Sequence, residues 1–319
     1  MQVPSTGHNR TSQPFDNCHD GYRCIVALLA AGQAPTDHVH LHVLLTYEQT
    51  GALALAADGV LLALLAAYLV GTHRLRRRGH RWSWQRTAWF GAGLAVVWAA
   101  VGSGLAAYDD VNLPMHVLQH MLLMALAPPL LIAGRPVTLA IQVVPRRPQR
   151  ALVRVVNGRV VRVLTGPLAW LCSPAVMAAF FLTPAYAMSE RHPLVHDAWH
   201  GLFLLAGYLS WSAILGPDGA RGARHPGRRI VTVLASMPLD AAVGAALLFW
   251  PRSIGPGATL ASTHEAGQLL WMLSMLDCGY ALAVVLRQWI AADERRVRRL
   301  DAQLDALEAA VTSGGARQP

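Results

Sequence analysis

The chain has 319 residues; 54% of them are hydrophobic, 14% are charged, and the mean hydropathy is +0.33. A soluble domain of this size cannot bury so much apolar surface in one core, so the composition excludes a soluble globular fold. The net charge of +9 would suggest nucleic acid as a partner of a soluble protein. Here the charges border apolar segments, which indicates a protein embedded in membrane lipid with no nucleic-acid role.

Residues 1–47 are predicted to form an extracytoplasmic tail. Their apolar piece, CIVALLAA, is too short for a span and no charged region opens the chain, so we expect no cleavable signal peptide. Cys18 and Cys24 can form a disulfide on the oxidising side, and the motif DHVHLH can collect metal ions loosely. A disordered polar tail is the alternative.

Residues 48–290 contain seven apolar runs, each of 21 or 22 residues, enough to cross about 30 Å of hydrocarbon as a helix. The runs cover residues 51–72, 87–107, 113–134, 168–188, 195–215, 230–250 and 266–286. They predict an all-α fold, a bundle of seven transmembrane helices, in a multi-pass protein of the cell membrane.

The arginines predict the orientation of this bundle. All 27 basic residues are arginine, and 23 of them fall in four segments: residues 74–86, 135–162, 221–229 and 287 onward. Basic residues accumulate on the cytoplasmic side of a membrane protein. The alternation of these segments along the chain therefore predicts an N-terminus outside the cell and a cytoplasmic C-terminus.

Two polar segments on the cytoplasmic side are also predicted to be helical. In residues 146–163 arginines alternate with valines and leucines, which suits a helix lying on the inner leaflet. Residues 291–319 predict an amphipathic helix and a tail. The apolar residues of this helix have the spacing of a coiled-coil seam. A helix on the membrane surface fits the same pattern equally well, so the oligomeric state stays open. These residues are Val297, Leu300, Leu304, Leu307 and Val311.

Histidines stand near the outer ends of three predicted inward-running helices. In the third run Asn112 is a plausible N-cap and Pro114 lies in the first turn, so His116 lies about one turn below the surface. His120 follows about 6 Å deeper on the same face. The other members of these stripes are Met124 in the third run, His196 and His200 in the fifth, and His264, Gln268 and Met272 in the seventh.

Two imidazoles at i, i+4 point at one spot, which suits a metal ion, although hydrogen bonds between helices are an alternative. Imidazole suits zinc or copper, and nearby thioethers favour Cu(I). The predicted ligands are His116, His120, His196 and His200, followed by His264, Met124 and Met115. Gln119 and Asp197 are predicted to orient them, and Asp240 and Asp277 are predicted either to assist the histidines or to pin helices together.

The third run carries the most specific pattern. Residues 115–140 read MHVLQHMLLMALAPPLLIAGRPVTLA, with Tyr108 before them, paired histidines in the fifth run, and a glutamine followed by Trp-Met in the seventh. This pattern resembles the CtaG-type cytochrome c oxidase assembly proteins of Gram-positive bacteria. The resemblance covers about residues 48–290, with one departure: the family's seventh span opens with an acidic residue and glutamine, whereas here Gln268 is displaced. The matching signature residues are His116, Gln119, His120, Pro129, Gly134, Pro136, Thr138 and Leu139.

The resemblance implies a role in assembling a haem-copper oxidase. The copper centres of such oxidases are reached from the outer side, where these histidines gather. We therefore predict a non-enzymatic factor that binds copper transiently and aids its insertion, with terminal oxidase subunits and an extracytoplasmic copper chaperone as candidate partners. No catalytic motif is found.

Two other functions fit some of these residues. A b-haem electron-transfer protein fits less well, because two imidazoles one turn apart cannot ligate opposite faces of one haem. A copper permease would need polar groups toward the cytoplasmic end, and only Asp240 and Asp277 supply them.

Overall fold

The computed structural model describes residues 52–108, 112–166, 168–215, 226–255 and 258–315. Within these ranges the chain is helical and contains no β-strand, which confirms the all-α prediction. The predicted tail, with Cys18, Cys24 and the motif DHVHLH, lies outside the described residues. In chain order the helices are α1 (Ala52–Arg77), α2 (Trp84–Val101), α3 (Leu105–Tyr108), α4 (Leu113–Met121), a π-helical turn (Leu122–Leu126), α5 (Ala127–Ala133), α6 (Pro136–Val143), α7 (Arg146–Val156), α8 (Arg159–Leu164), a 3₁₀ turn (Ala169–Leu171), α9 (Cys172–Phe181), α10 (Ala185–Ser189), α11 (Pro193–Leu215), α12 (Pro226–Leu248) and α13 (Leu260–Gly315).

Five helical stretches of the described residues are long and apolar enough to cross a membrane. The second predicted span corresponds to α2, which has 18 residues, and the fourth corresponds to the shorter apolar stretch Ala169–Phe181. Seven crossings and the orientation of the termini therefore stay predictions. The five stretches are Leu53–Arg77, Leu113–Val143, Pro193–Leu215, Arg229–Leu248 and Leu260–Glu308.

The third predicted span is an interrupted helix, and its proline pair explains the interruption. Pro128 and Pro129 have no N–H group, so the carbonyl groups four residues earlier lose their α-helical donors. The chain widens into the π turn Leu122–Leu126, after which the Ala127 N–H donates to the Leu122 carbonyl, five residues back. Such turns are frequent at functional sites. This π turn directly follows the His116–His120 pair.

A left-handed residue separates α5 from α6. Arg135 has a φ of 52°, and because a residue before proline avoids the right-handed helical region, a new helix begins at Pro136. The Gly134 carbonyl accepts a 2.7 Å hydrogen bond from the Tyr68 hydroxyl of α1. A Cβ atom at Gly134 would lie only 2.6 Å from the Cβ of Phe90 in α2. This turn thus ties α5 to α1 and α2.

Helices α12 and α13 form a closely packed antiparallel pair. A Cβ atom at Gly244 would lie 2.8 Å from the backbone nitrogen of Trp271, so a small residue is needed for this approach. At the other end of the pair, Arg229 donates a 2.7 Å hydrogen bond to the Gln288 side chain and another to the Ile214 carbonyl. The C-terminal end of α11 is thereby joined to α12 and α13.

The periphery of the described fold is strongly exposed. Only 6% of the apolar window of α1 is buried in the bundle. The predicted surface helix forms two helices, α7 and α8, separated at Asn157 and Gly158. Helix α13 has 56 residues and continues from the last predicted span into the C-terminal segment without a break near residue 290.

Candidate metal centre

Helix α4 places the first histidine pair. The Asn112 side chain accepts a 3.1 Å hydrogen bond from the Met115 N–H, and Pro114 lies in the first turn, which confirms the predicted helix start. His116 and His120 then face the bundle interior, where both are fully buried. Their ring centroids are 4.4 Å apart.

Helix α11 places the second pair. It begins at Pro193, and the His196 N–H donates to the His192 carbonyl in its first turn. His196 and His200 are each 9% exposed, and their ring centroids are 4.4 Å apart. Because both pairs lie in the first turns of their helices, they meet at the same end of the bundle, which we call the histidine end.

The two pairs converge between α4 and α11. The rings of His116 and His196 stack at 5.0 Å, and those of His120 and His200 lie 5.4 Å apart. One nitrogen atom from each of His116, His120 and His196 lies within 4.8 Å of the others. We call these residues the three-histidine group; His200 lies beside it.

A close helix contact makes this convergence possible. Gly207 of α11 packs against the backbone of Met124 in the π turn, where a Cβ atom would lie 2.7 Å from the Met124 Cα. Any larger residue would push α11 away from α4. The π turn and Gly207 thus set the separation of the two histidine pairs one or two turns further along the same helices.

His120 is buried without satisfying the polar atoms of its ring. Both of its ring nitrogens are buried and have no hydrogen-bond partner among the described residues, and the same holds for Nε2 of His200. An unsatisfied buried polar group costs about 1–3 kcal/mol. Hydrogen bonds between helices do not account for these atoms, and a metal ion is a candidate partner for the one lone-pair nitrogen that each neutral imidazole offers.

Aromatic side chains enclose the histidines. Phe203 of α11 stacks on His120 at 4.0 Å, and Phe180 of α9 contacts both His116 and His120, at 5.5 and 4.7 Å. Tyr186 of α10 packs edge-on against His116 at 5.4 Å. These rings reduce the space for water beside the imidazoles and lower the local polarity, which strengthens electrostatic interactions at the site.

A carboxylate that sequence reasoning missed completes the site. Oε1 of Glu190, at the end of α10, lies 3.7 Å from Nδ1 of His116, and its side chain is only 10% exposed. Carboxylates beside metal-binding imidazoles orient the ring and fix its tautomer. The sequence did contain one sign of this contact. Glu190 is an acidic residue between the fourth and fifth apolar runs, on the predicted outer side where the histidines gather.

The two predicted orienting residues have different surroundings. Gln119 is fully buried and donates a 3.0 Å hydrogen bond to the carbonyl of Ala100, near the C-terminus of α2. It therefore fixes α4 against α2. Oδ1 of Asp197 lies 3.8 Å from Nδ1 of His200, but this side chain is 53% exposed. Asp197 is thus at the rim of the site.

The sequence matches the family described as cytochrome c oxidase caa3 assembly factor (Caa3_CtaG) over residues 66–292. The chain belongs to this family. The match includes the whole three-histidine group and Glu190, and it confirms the resemblance noted in the third apolar run.

Relatives in mycobacteria share most of the chain. It is 32% identical, over 276 residues, to uncharacterized proteins of Mycobacterium bovis and Mycobacterium tuberculosis, an alignment that covers 79% of this chain and 41% of each relative. An uncharacterized protein of Mycobacterium leprae is 26% identical over 278 residues, which cover 80% and 41%. The chain thus spans about 41% of the length of these curated relatives. No solved structure matches it.

The signature residues of the third apolar run fall into two structural parts. His116, Gln119 and His120 lie at or beside the candidate metal centre. Pro129 belongs to the pair that causes the π turn, and Gly134 and the residues after it form the turn into α6. The second part therefore acts through the backbone, by placing α4 and α5 against their neighbours.

Three other predicted ligands lie outside the three-histidine group. A ring nitrogen of His264 lies 3.0 Å from the Trp250 carbonyl, so this histidine joins the start of α13 to the end of α12. Met115 is half-buried. Met124 lies within the π turn and is buried in the apolar core, and its role as a ligand stays a prediction.

Asp240 and Asp277 lie at a different depth from the histidines. Asp240 Oδ2 accepts a hydrogen bond from Cys278 Sγ at 3.9 Å, and the Asp277 carboxylate contacts Trp211. Trp211 follows His200 by three helical turns, roughly 16 Å along α11. These two carboxylates therefore join α12, α13 and α11, which is the helix-pinning alternative, rather than contacting the three-histidine group.

Proposed function

We propose that this chain acts in the assembly of a haem-copper terminal oxidase by binding copper transiently at the three-histidine group and supplying it to the oxidase, as a carrier and not as an enzyme. The observation that supports this function is the convergence of His116, His120 and His196 in a buried site. Family membership supports the oxidase as the recipient. The metal is cargo in this proposal.

The donor set fits a copper ion after a small adjustment. Imidazole nitrogens bind metals at about 2.0–2.1 Å, so three of them around one ion lie roughly 3.4 Å apart. The nitrogens here lie within 4.8 Å of one another. Side-chain rotations that move the ring nitrogens by about 1 Å therefore suffice to bind the ion. The positions of α4 and α11 need not change.

The surroundings favour Cu(I) over a divalent ion. Three neutral imidazoles bring no charge, and the aromatic side chains offer none, so each positive charge on the ion must be balanced nearby. The Glu190 carboxylate beside His116 balances one charge. Cu(I) is also the softer ion and accepts few ligands, whereas zinc ordinarily takes four.

Release requires that copper can exchange one ligand for another near the surface. His200 lies beside the three-histidine group, and the half-exposed Asp197 lies next to His200. An ion can therefore pass from the buried group toward the rim by exchanging imidazoles one at a time. The recipient, a subunit of the terminal oxidase, would supply the competing ligands.

The two alternatives are less well supported by the packing. The rings of His116 and His196 stack at 5.0 Å between aromatic side chains, which leaves no porphyrin-sized gap among the described residues. A permease path would have to cross a layer of fully buried apolar side chains below the histidines, such as Phe203, Leu123 and Met177. Transient binding at one end of the bundle avoids both difficulties.

Metal analysis of the purified protein tests the proposal. After loading with Cu(I) and desalting in detergent, the wild-type protein should retain about one copper ion per chain and show no haem absorption. His116→Ala, His120→Ala and His196→Ala should each lose it, and cells carrying them should lose oxidase activity at unchanged protein level.

His264→Ala is the matched control, because this histidine bonds to a backbone carbonyl outside the three-histidine group. It should retain copper. Unchanged copper content in all three alanine variants, or a haem spectrum in the wild-type protein, would overturn the proposed function.

A further inference from the structure

Helix α13 extends beyond the other described helices of the bundle. Gln288 is the last residue held to the bundle by a described hydrogen bond, through Arg229. From residue 292 to residue 308 every side chain is exposed. Residues 289–315 form roughly 40 Å of helix at about 1.5 Å per residue, without proline or glycine until the end.

This extension carries an apolar seam that nothing in the described part of the chain covers. The side chains of Val297, Leu300, Leu304 and Leu307 are 49–63% exposed. Their spacing of three, four and three residues places them on one face, as at the a and d positions of a coiled coil. The alternative, a helix lying on the membrane surface, requires a bend near residue 290, and α13 is uninterrupted there.

The same face continues into the membrane-spanning part of α13. Carrying the seven-residue repeat backward places Gly279, Ala283 and Leu286 on the seam, and all three are exposed. A Cβ atom at Gly279 would meet nothing within 4 Å, so this glycine does not serve packing among the described residues. Small residues four apart let two membrane helices approach closely.

We propose that two copies of this chain pair along the exposed face of α13, with residues 297–307 forming a parallel two-stranded coiled coil. Copies inserted in one membrane have the same orientation, so their α13 helices project in the same direction. An antiparallel pairing, which the same leucines would allow in solution, is thereby excluded. The pairing rests on no part of the copper proposal.

The charges beside the seam agree with the parallel register. With Val297 at position a, Arg296 occupies g and Asp301 occupies e, five residues later. In a parallel coiled coil these two positions of opposite helices are neighbours, so each Arg296 meets the second copy's Asp301. Asp293 is a polar residue on the seam, which costs stability but restricts the register.

Membrane anchoring compensates for the short seam. Two heptads are marginal for free helices in water, mainly because the helix must first be ordered. Here α13 is already ordered as a continuation of a bundle helix, and the membrane holds two copies at high effective concentration. The coiled coil therefore needs to supply only the pairing energy.

Cysteine cross-linking of the full-length protein in native membranes tests the pairing. Leu300→Cys lies on the seam, and Ala302→Cys lies on the opposite face of the same turn. The unchanged protein gives the baseline for its four native cysteines. Under mild oxidation the dimer fraction of Leu300→Cys should exceed that of Ala302→Cys several-fold, and the product should contain this chain alone.

A charge exchange then tests the register in the Leu300→Cys background. Arg296→Asp and Asp301→Arg should each reduce the dimer fraction several-fold, because like charges then face each other. The double exchange should restore it, which excludes simple misfolding of the single variants. Equal cross-linking of Leu300→Cys and Ala302→Cys, cross-linking to a different protein, or no recovery in the double exchange would overturn the proposal.

Discussion

Replacing His120 by leucine should stabilise the copper-free protein while abolishing copper binding. The two buried ring nitrogens of His120 have no hydrogen-bond partner among the described residues, and each costs about 1–3 kcal/mol. Leucine removes both costs with a side chain of similar size. The ring contacts with Phe203, at 4.0 Å, and with Phe180, at 4.7 Å, are lost, and such pairs contribute about 0.5–1.5 kcal/mol each. At the middle of both ranges, about 4 kcal/mol of removed cost exceeds about 2 kcal/mol of lost ring contacts, so the expected net gain in unfolding free energy is about 2 kcal/mol.

Copper should reverse this order of stabilities. A ligand present at a hundred times its Kd stabilises the folded state by about 2.7 kcal/mol. The wild-type protein should therefore unfold at a higher temperature with Cu(I) than without it. His120→Leu, which lacks one of three ligands, should show no such shift. His120→Met should keep part of it, because a thioether still binds Cu(I).

Thermal unfolding in detergent, with and without Cu(I), measures both effects on one sample. His120→Asn serves as the control for hydrogen bonding, since it keeps polar atoms at the site but loses the imidazole. If His120 only joins helices, His120→Asn should be nearly silent and His120→Leu should be destabilised. A copper-free His120→Leu protein that is less stable than the wild type, together with a preserved copper shift, would refute the metal-ligand role.

Three further predictions concern the rim, the helix contact and the orientation. Glu190→Gln should weaken copper binding about tenfold, whereas Asp197→Asn, at an exposed side chain, should change it little, as measured by competition with a chelator. Gly207→Ala should destabilise the protein by about 1–3 kcal/mol through overpacking, whereas Gly201→Ala, with nothing within 4 Å of its Cβ, should not. A cytoplasm-dependent reporter inserted after Gly79 should be active.

Each of these has a contradicting result. Equal copper affinities in Glu190→Gln and the wild type would remove the carboxylate from the site. Equal unfolding temperatures of the two glycine variants would show that α4 and α11 can separate without cost. A reporter after Gly79 that is active only when exported would reverse the predicted topology and turn the histidine end toward the cytoplasm.

Much of the local structure follows from the sequence alone. The apolar runs predicted helices because only a helix pairs all its backbone groups in lipid. Asn112 and Pro114 predicted the start of α4, since capping depends on neighbouring residues only. The i, i+4 spacing predicted that each histidine pair shares one helix face. The third-run motif also predicted the family.

Tertiary structure decided what the local pattern could not. The contact between His116 and Glu190 joins residues far apart in the sequence, and it depends on how α10 meets α4. His264 has the same pattern as the other histidines, yet the packing of α13 on α12 directs it to the Trp250 carbonyl. Met124 lies in the π turn that the proline pair causes, so its place relative to the histidines depends on this irregular turn and not on four-residue spacing alone. Spacing along one helix determines which side chains share a face, but only the packing of helices against each other determines which faces meet.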